Sequence, residues 1–160
     1  MRHYENSITI SASTEDLFAY IDDHIRLSSH MNKSSWMMGG GKMNTSIDEK
    51  GGKEIGSHIH MSGNVFGIKL YLDEVMTRRE PPHLKEWETV GTPKLLIIGK
   101  YKMKVAITPQ ENGSLLQVSI DYELPTTYVW LGKLLSGVYA KWCVQQMIKS
   151  PQNYFNKQKS

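Results

Sequence analysis

Glu74 is the residue with the most chemistry to offer. Ile68, Leu70, Leu72 and Met76 occupy alternate positions around it. A strand that turns these apolar side chains inward therefore turns the carboxylate inward as well. On the wall of an apolar cavity, such a group orients a ligand hydroxyl or acts as a general acid or base. In the catalytic version, Tyr101 or Tyr122 supplies the hydroxyl that donates to a developing oxyanion. Two blander arrangements compete. A bulge near Asp73-Glu74 would turn Glu74 out and Val75 in, or Glu74 lies inside and pairs with a buried partner.

Other reactive residues carry less. His58 and His60 share one strand face, the spacing of a metal half-site. No cysteine, histidine or carboxylate at motif spacing completes it, and Ile59 and Met61 take the inward positions, so both histidines are expected on the wet face. Cys143 is the single cysteine and reads as an inert packed thiol in an apolar helix. Gly39-Gly40-Gly41-Lys42-Met43 lacks the spacing of a phosphate loop and the Ser/Thr after the lysine. It reads as a flexible approach to the sheet, a gate beside a cavity mouth. Arg78, Arg79, His83 and Lys85 gather at one hairpin end and read as a solvated turn. No metal and no cofactor is expected.

The elements that must position Glu74 follow from periodicity. Tyr4, Asn6, Ile8 and Ile10 alternate with polar residues, which predicts a first strand with even positions inward. Ser13, with an acidic residue three positions on, caps a short helix over 14–22, and Asp22 or Asp23 caps a second running through Ile25 to Met31. From Lys42 to Leu124 strands dominate. Lys50-Gly51-Gly52, Ser62-Gly63-Asn64, Glu80-Pro81-Pro82-His83 and Gly91-Thr92-Pro93 are the expected breaks.

The last hairpin is the most informative segment. Glu111-Asn112-Gly113 is its turn. A loop over Gln110–Gly113 pairs Ile107 with Leu116, Val105 with Val118, Met103 with Ile120 and Tyr101 with Tyr122. The other face then pairs Lys102 with Asp121 and Lys100 with Glu123, so both faces agree on one register. One face is buried and one is wet, the pattern of an antiparallel sheet covered on one side.

The cover is a helix from about Tyr128 to Ser150, stopped or kinked at Pro151. Leu131, Leu135, Val138 and Trp142 form its apolar stripe, with Lys133, Gly137 and Lys141 turned away. Gln145 and Gln146 interrupt the stripe and either face water or send one amide into a cavity. Trp87 alternates with Glu86 and Glu88, so its ring points inward; Thr89 shares that face, and the turn at Pro81-Pro82 folds it back against Met76. The expected ligand-contacting set is therefore Leu72, Glu74, Met76, Trp87, Thr89 and Tyr101, together with Met103, Ile120, Tyr122, Leu135, Val138 and Trp142.

Composition sets the outer limits. The 160 residues, 39% hydrophobic and 22% charged, suit one ordered domain over 1–160. A net charge of +3 is too weak to imply nucleic acid without a clustered patch. The longest apolar runs, Leu95–Ile98 and Val129–Leu131, fall far short of the ~20 residues that cross a bilayer, so no stable membrane insertion is expected. The N-terminus has no apolar signal region and the lone cysteine suits a reducing compartment, which together predict a cytoplasmic protein. Oligomeric state is left open.

The order of strand, two short helices, about six antiparallel strands and one long helix resembles the helix-grip fold of the START/Bet v 1 (SRPBCC) superfamily, including bacterial polyketide cyclase/dehydrase-like proteins. The resemblance rests on Ile8-Thr9-Ile10-Ser11-Ala12-Ser13-Thr14-Glu15-Asp16-Leu17-Phe18, on Leu72-Asp73-Glu74-Val75 followed by Glu80-Pro81-Pro82, and on the amphipathic helix after Pro125. It implies an α+β domain in which a curved sheet of about seven strands wraps the long helix. It also implies an internal cavity for a hydrophobic or amphipathic small molecule. It does not imply one activity, because the superfamily holds lipid carriers, cyclases, hormone receptors and chaperone regulators. Ligand binding ranks first; a cyclase, dehydratase or isomerase using Glu74 ranks second. A protein-interaction module ranks third, since the wet face reads Lys, Gln, Ser, Asp and Glu.

Overall fold

Alternation on both sides of the Glu111-Asn112 turn sets the sheet. The computed structural model describes residues 1–27, 42–65 and 67–158. In it β6 (Tyr101–Gln110) and β7 (Gly113–Tyr122) pair with Tyr101 opposite Tyr122, Met103 opposite Ile120, Val105 opposite Val118 and Ile107 opposite Leu116. Lys102 faces Asp121 on the wet side, and the backbone of Glu123 bonds that of Lys100 one step beyond. β1 (Arg2–Ile10) joins β7, while β5 (Leu84–Lys94), β4 (Ile68–Glu80), β3 (His58–Val65) and β2 (Lys42–Ile47) extend the other side. The result is a seven-stranded antiparallel sheet ordered β1-β7-β6-β5-β4-β3-β2. The sheet curves around the final helix, the expected α+β helix-grip arrangement.

Several expected breaks fall elsewhere. Ser62-Gly63-Asn64 is not a turn: β3 runs through it to Val65, and the reversal follows at Gly67, whose φ is +76°. Gly91-Thr92-Pro93 does not end a strand either. β5 continues to Lys94, and Gly91, at φ +68°, marks the irregularity where the register shifts between Tyr71 and Asp73. Lys50-Gly51-Gly52 does turn the chain, within a longer connection from Asp48 to Ser57. On edge strand β1 Ile10 is buried and Tyr4 and Ile8 half-buried, but Asn6 is exposed. Gly39-Gly40-Gly41 lies outside the described residues, as does the expected continuation of the second helix to Met31.

Ser13 caps α1 (Thr14–Ile21), its hydroxyl accepting from the Asp16 amide at 3.1 Å. Asp23 caps α2 (His24–Leu27) through the Arg26 amide at 3.2 Å. Asp22, between them, anchors this corner to the sheet: it accepts two bonds from Arg79, at 2.8 and 3.1 Å, and lies 3.3 Å from Nζ of Lys85. Arg79 and Lys85 are thus drawn out of the expected solvated turn, in which Arg78 and His83 remain exposed. Lys85 is fully buried because it shares the inward face of β5 with Trp87. Burial opposes the charge of Asp22, but Arg79 and Lys85 outweigh it and hold the carboxyl below its usual range. Burial likewise pushes Lys85 down to about 8, partly offset by Asp22.

α3 (Val129–Gln158) presents a different face from the one its bulky residues suggest. Gly132, Ser136, Tyr139, Ala140, Cys143 and Val144 are buried, whereas Leu135 and Val138 point to solvent. Close approach sets this rotation. A Cβ on Gly132 would sit 2.3 Å from the Pro125 ring and 3.0 Å from the Ile97 carbonyl, and Ser136 takes a bond from Arg2 at 3.3 Å. The ridge of small residues at 132, 136 and 140 is what lets the helix sink onto the sheet. Beyond Pro151, Tyr154 and Phe155 stack against Tyr20, whose hydroxyl meets Ser150 at 2.6 Å.

Candidate functional site

Between the inner face of the sheet and α3 lies a small cavity of about 40 Å³. The sheet contributes Leu72 and Glu74 from β4, Trp87 from β5, Tyr101 and Met103 from β6, and Ile120 from β7. Met61 of β3 and His24 of α2 close one side, and Tyr139, Cys143 and Met147 descend from α3. Leu95 and Ile98 reach in from the loop between β5 and β6.

Glu74 is the polar centre of this wall. Its position keeps the inward series of Leu70, Leu72 and Met76, because the irregularity nearest Glu74 on its far side comes only after Met76. Glu74 is therefore buried, only 2% exposed, and the outward-turning bulge is excluded. The hydroxyl of Tyr101 donates to its Oε2. Its Oε1 has no hydrogen-bond partner among the described residues, with Nε2 of His24 3.4 Å away. The His24 ring stands edge-on to Trp87 at 4.9 Å. Tyr101 is held in place by Thr89, whose hydroxyl accepts from the Tyr101 amide at 3.2 Å and extends the β5–β6 ladder past its last pair.

Burial is the main force on the titrating groups here. It raises Tyr101 well above the usual tyrosine value, and the Glu74 charge and hydrogen bond add to it. Tyr139 rises for the same first reason, then through Cys143. Cys143 is pushed up to about 12 by burial, against a lowering hydrogen bond from Tyr139. The neutral phenol of Tyr101 is thus a hydrogen-bond donor over the whole ordinary pH range, and Cys143 stays a protonated thiol.

Leu72, Glu74, Trp87, Tyr101, Met103 and Ile120 come together as one lining. Met76 is buried and pairs with Trp87 across β4 and β5 but does not line the cavity. Thr89 acts on Tyr101, and Tyr122 is buried under Gly137 of α3, to one side. Trp142 is half-buried against Tyr139 at 5.8 Å. Leu135 and Val138 are corrections: the rotation fixed by Gly132 turns both away from the cavity. The sequence reading missed His24, Met61, Leu95, Ile98, Tyr139 and Met147 in the lining, along with the cavity-facing position of Cys143. A signal was present for the helix, where Tyr139, Cys143 and Met147 fall at i, i+4 and i+8 beside the small ridge. His24, in a four-residue helix, offers no comparable pattern.

His58 and His60 lie on the exposed face, with Nδ1 of His58 3.2 Å from Asp73. Among the described residues no three His, Cys, Asp or Glu side chains gather to hold a metal, and no helix is long and apolar enough to cross a membrane.

Residues 1–149 match the family described as polyketide cyclase / dehydrase and lipid transport. The chain belongs to that family. No curated protein matches it. Among solved structures it is similar to TTHA0849 from Thermus thermophilus, at 13% identity and TM-score 0.69 over 99% of this chain and all of that one. It is also similar to norcoclaurine synthase from Thalictrum flavum in complex with dopamine and hydroxybenzaldehyde, at 16% identity and TM-score 0.68 over 99% and 88% of the two chains. The di-domain ARO/CYC protein StfQ of the steffimycin biosynthetic pathway matches at 12% identity and TM-score 0.68, this chain covering 98% of itself and about half, 51%, of StfQ. At these identities the likeness establishes the Bet v 1-like fold of this family member and nothing finer.

Proposed function

We propose that this polyketide cyclase/dehydrase-family protein binds a hydrophobic or amphipathic small molecule, lipid- or polyketide-like, beneath α3. The apolar body lies against Leu72, Trp87, Met103 and Ile120, and a hydroxyl or enol donates to Oε1 of Glu74. The observation that carries this is the Glu74 carboxylate, buried on a largely apolar wall with the Tyr101 hydroxyl on Oε2 and His24 no nearer to Oε1 than 3.4 Å. A ligand hydroxyl that donates to Oε1 at closer range adds a hydrogen bond worth about 1 kcal/mol net. A cavity of about 40 Å³ holds only a few waters. Binding therefore goes with repacking of the unbranched side chains of Met61, Met103 and Met147. Solvent extraction of protein purified from its native host, followed by mass spectrometry, tests the reading. A co-purifying apolar compound with a donor group, lost in Glu74→Leu, supports it. Clean protein that no hydroxylated aromatic or fatty ligand stabilises against heat defeats it.

A second reading has its own support, since Glu74 and Tyr101 converge on one volume. In a cyclase, dehydratase or isomerase, the Glu74 carboxylate takes a proton from a carbon beside a carbonyl. The electron pair moves onto the carbonyl oxygen, and the Tyr101 hydroxyl, released from Glu74 as that carboxylate takes the proton, turns to donate to it. Hydrogen–deuterium exchange at the acidic carbon of a bound ligand separates the two readings. Loss of exchange in Glu74→Gln with binding retained favours catalysis, and absence of exchange in the wild-type protein excludes it for that ligand.

A further inference from the structure

The rotation of α3 that sinks its small residues into the sheet leaves large apolar ones in water. Trp130, Leu134 and Val138 follow each other at i, i+4 and i+8 and are 64%, 70% and 53% exposed, with Leu135 beside them at 41%. Side chains at this spacing form one continuous stripe along the helix. Contiguous exposed apolar surface of this kind marks a contact site.

Charge says what it contacts. The 30 residues of α3 include Lys133, Lys141, Lys149 and Lys157 and not one Asp or Glu. Lys133 and Lys141 are exposed and lie along the border of the stripe. The first turn of α3 also touches the β5–β6 loop, where Gly132 meets the Ile97 carbonyl, and that loop is bracketed by exposed Lys94 and Lys100. One exposed acid, Glu123, adjoins that loop, its carbonyl taking the Gly99 amide. A helix with a Trp- and Leu-rich stripe and lysine borders is the make-up of a segment that lies in a bilayer interface. Its lysine stems follow the apolar surface while the ammonium groups reach the headgroups. A second copy fits less well, because a two-fold contact sets the same patch against itself and brings like-charged borders together.

We propose that the exposed face of α3, with Trp130 and Leu134 at its centre, docks on the surface of an anionic lipid bilayer. The contact is peripheral and reversible, and no helix crosses the membrane. It places against the bilayer the end of the molecule where Leu95 and Ile98 line the cavity. The proposal does not depend on what fills that cavity.

Co-sedimentation with phosphatidylcholine vesicles containing about 30% phosphatidylserine, against phosphatidylcholine alone, tests it. The wild-type protein pellets with the anionic vesicles. Binding falls about tenfold or more in Trp130→Ser/Leu134→Ser and also weakens at about 0.5 M salt. Both substituted side chains are exposed, so an unchanged melting temperature shows that the double variant is folded. Lys133→Glu/Lys141→Glu removes the preference for anionic vesicles. The proposal is overturned if the wild-type protein stays in the supernatant, or if the double variant pellets equally well. It is also overturned if the wild type is a dimer that those two apolar substitutions dissociate without vesicle binding, which assigns the face to a second copy.

Discussion

The Tyr101 hydroxyl reaches Glu74 over β5, so a single hydrogen bond ties β6 to β4, two strands that do not pair. Replacing Tyr101 with Phe strips Glu74 of the hydroxyl that donates to it inside an apolar wall. The expected loss is about 1–3 kcal/mol in chemical denaturation. Combining Tyr101→Phe with Glu74→Leu removes both partners, and the double variant should regain most of that loss. If the double variant is less stable than either single one, the pair contributes to stability in its own right.

Lys85 carries a pH signature. Its pKa falls from 10.5 to about 8 on folding, burial being the cause and Asp22 the partial offset. Between these values the unfolded chain holds a proton that the folded chain has released, so this group makes stability rise with pH through that window. Tyr101, Tyr139 and Cys143 are raised and act in the opposite sense at alkaline pH, so the comparison is with Lys85→Met. Wild type should gain on that variant by up to about 3 kcal/mol between pH 8 and 10.5. Parallel stability curves for the two proteins would remove Lys85 as a titrating group.

The facing of α3 is directly testable. Leu135→Ser and Val138→Ser should alter stability by no more than about 0.5 kcal/mol, as ordinary surface changes do. Ile148→Ala, on the buried side, should cost about 2–5 kcal/mol. Thermal unfolding of the three variants decides between this orientation and the stripe of Leu131, Leu135, Val138 and Trp142.

Gly132→Ala probes the close approach itself. The new methyl would lie 2.3 Å from Cδ of Pro125, a rigid ring, and 3.0 Å from a backbone oxygen. Overpacking of this kind costs about 1–3 kcal/mol, despite the better helix propensity of alanine. A variant as stable as wild type would mean that the first turn of α3 is free to shift.

The sheet is legible because strand periodicity is strict. A one-residue slip between β6 and β7 would expose Val105 and Val118 and bury Lys102, so the sequence admits one register. Glu74 is legible for the same reason, as a carboxylate inside an inward series. That periodicity also covers Lys85, which stands two positions before Trp87 and must share its face, although its charge and its neighbours argue for water. In α3, apolar bulk is a poor mark of burial. There the closest contact goes to Gly132, Ser136 and Ala140, and the bulk beside them is left outside. Ser62-Gly63-Asn64 and Gly91-Thr92-Pro93 fail as breaks because long strands absorb such residues, the second through a bulge. His24 has no local signature, since its place depends on how the corner at Asp22 docks against β4 and β5, a contact between residues far apart in the chain.

The small volume left beside Glu74 has a thermodynamic consequence for anyone measuring affinity. A guest larger than a few waters can enter only those molecules whose methionines and final helix have momentarily given way. Its observed dissociation constant is then the intrinsic one divided by the fraction of time spent ajar, so a protein open for about 1% of the time binds about a hundredfold more weakly than its contacts alone would allow. Substitutions that unsettle the seat of α3 without touching the guest, Gly132→Ala among them, would therefore strengthen binding while weakening the fold.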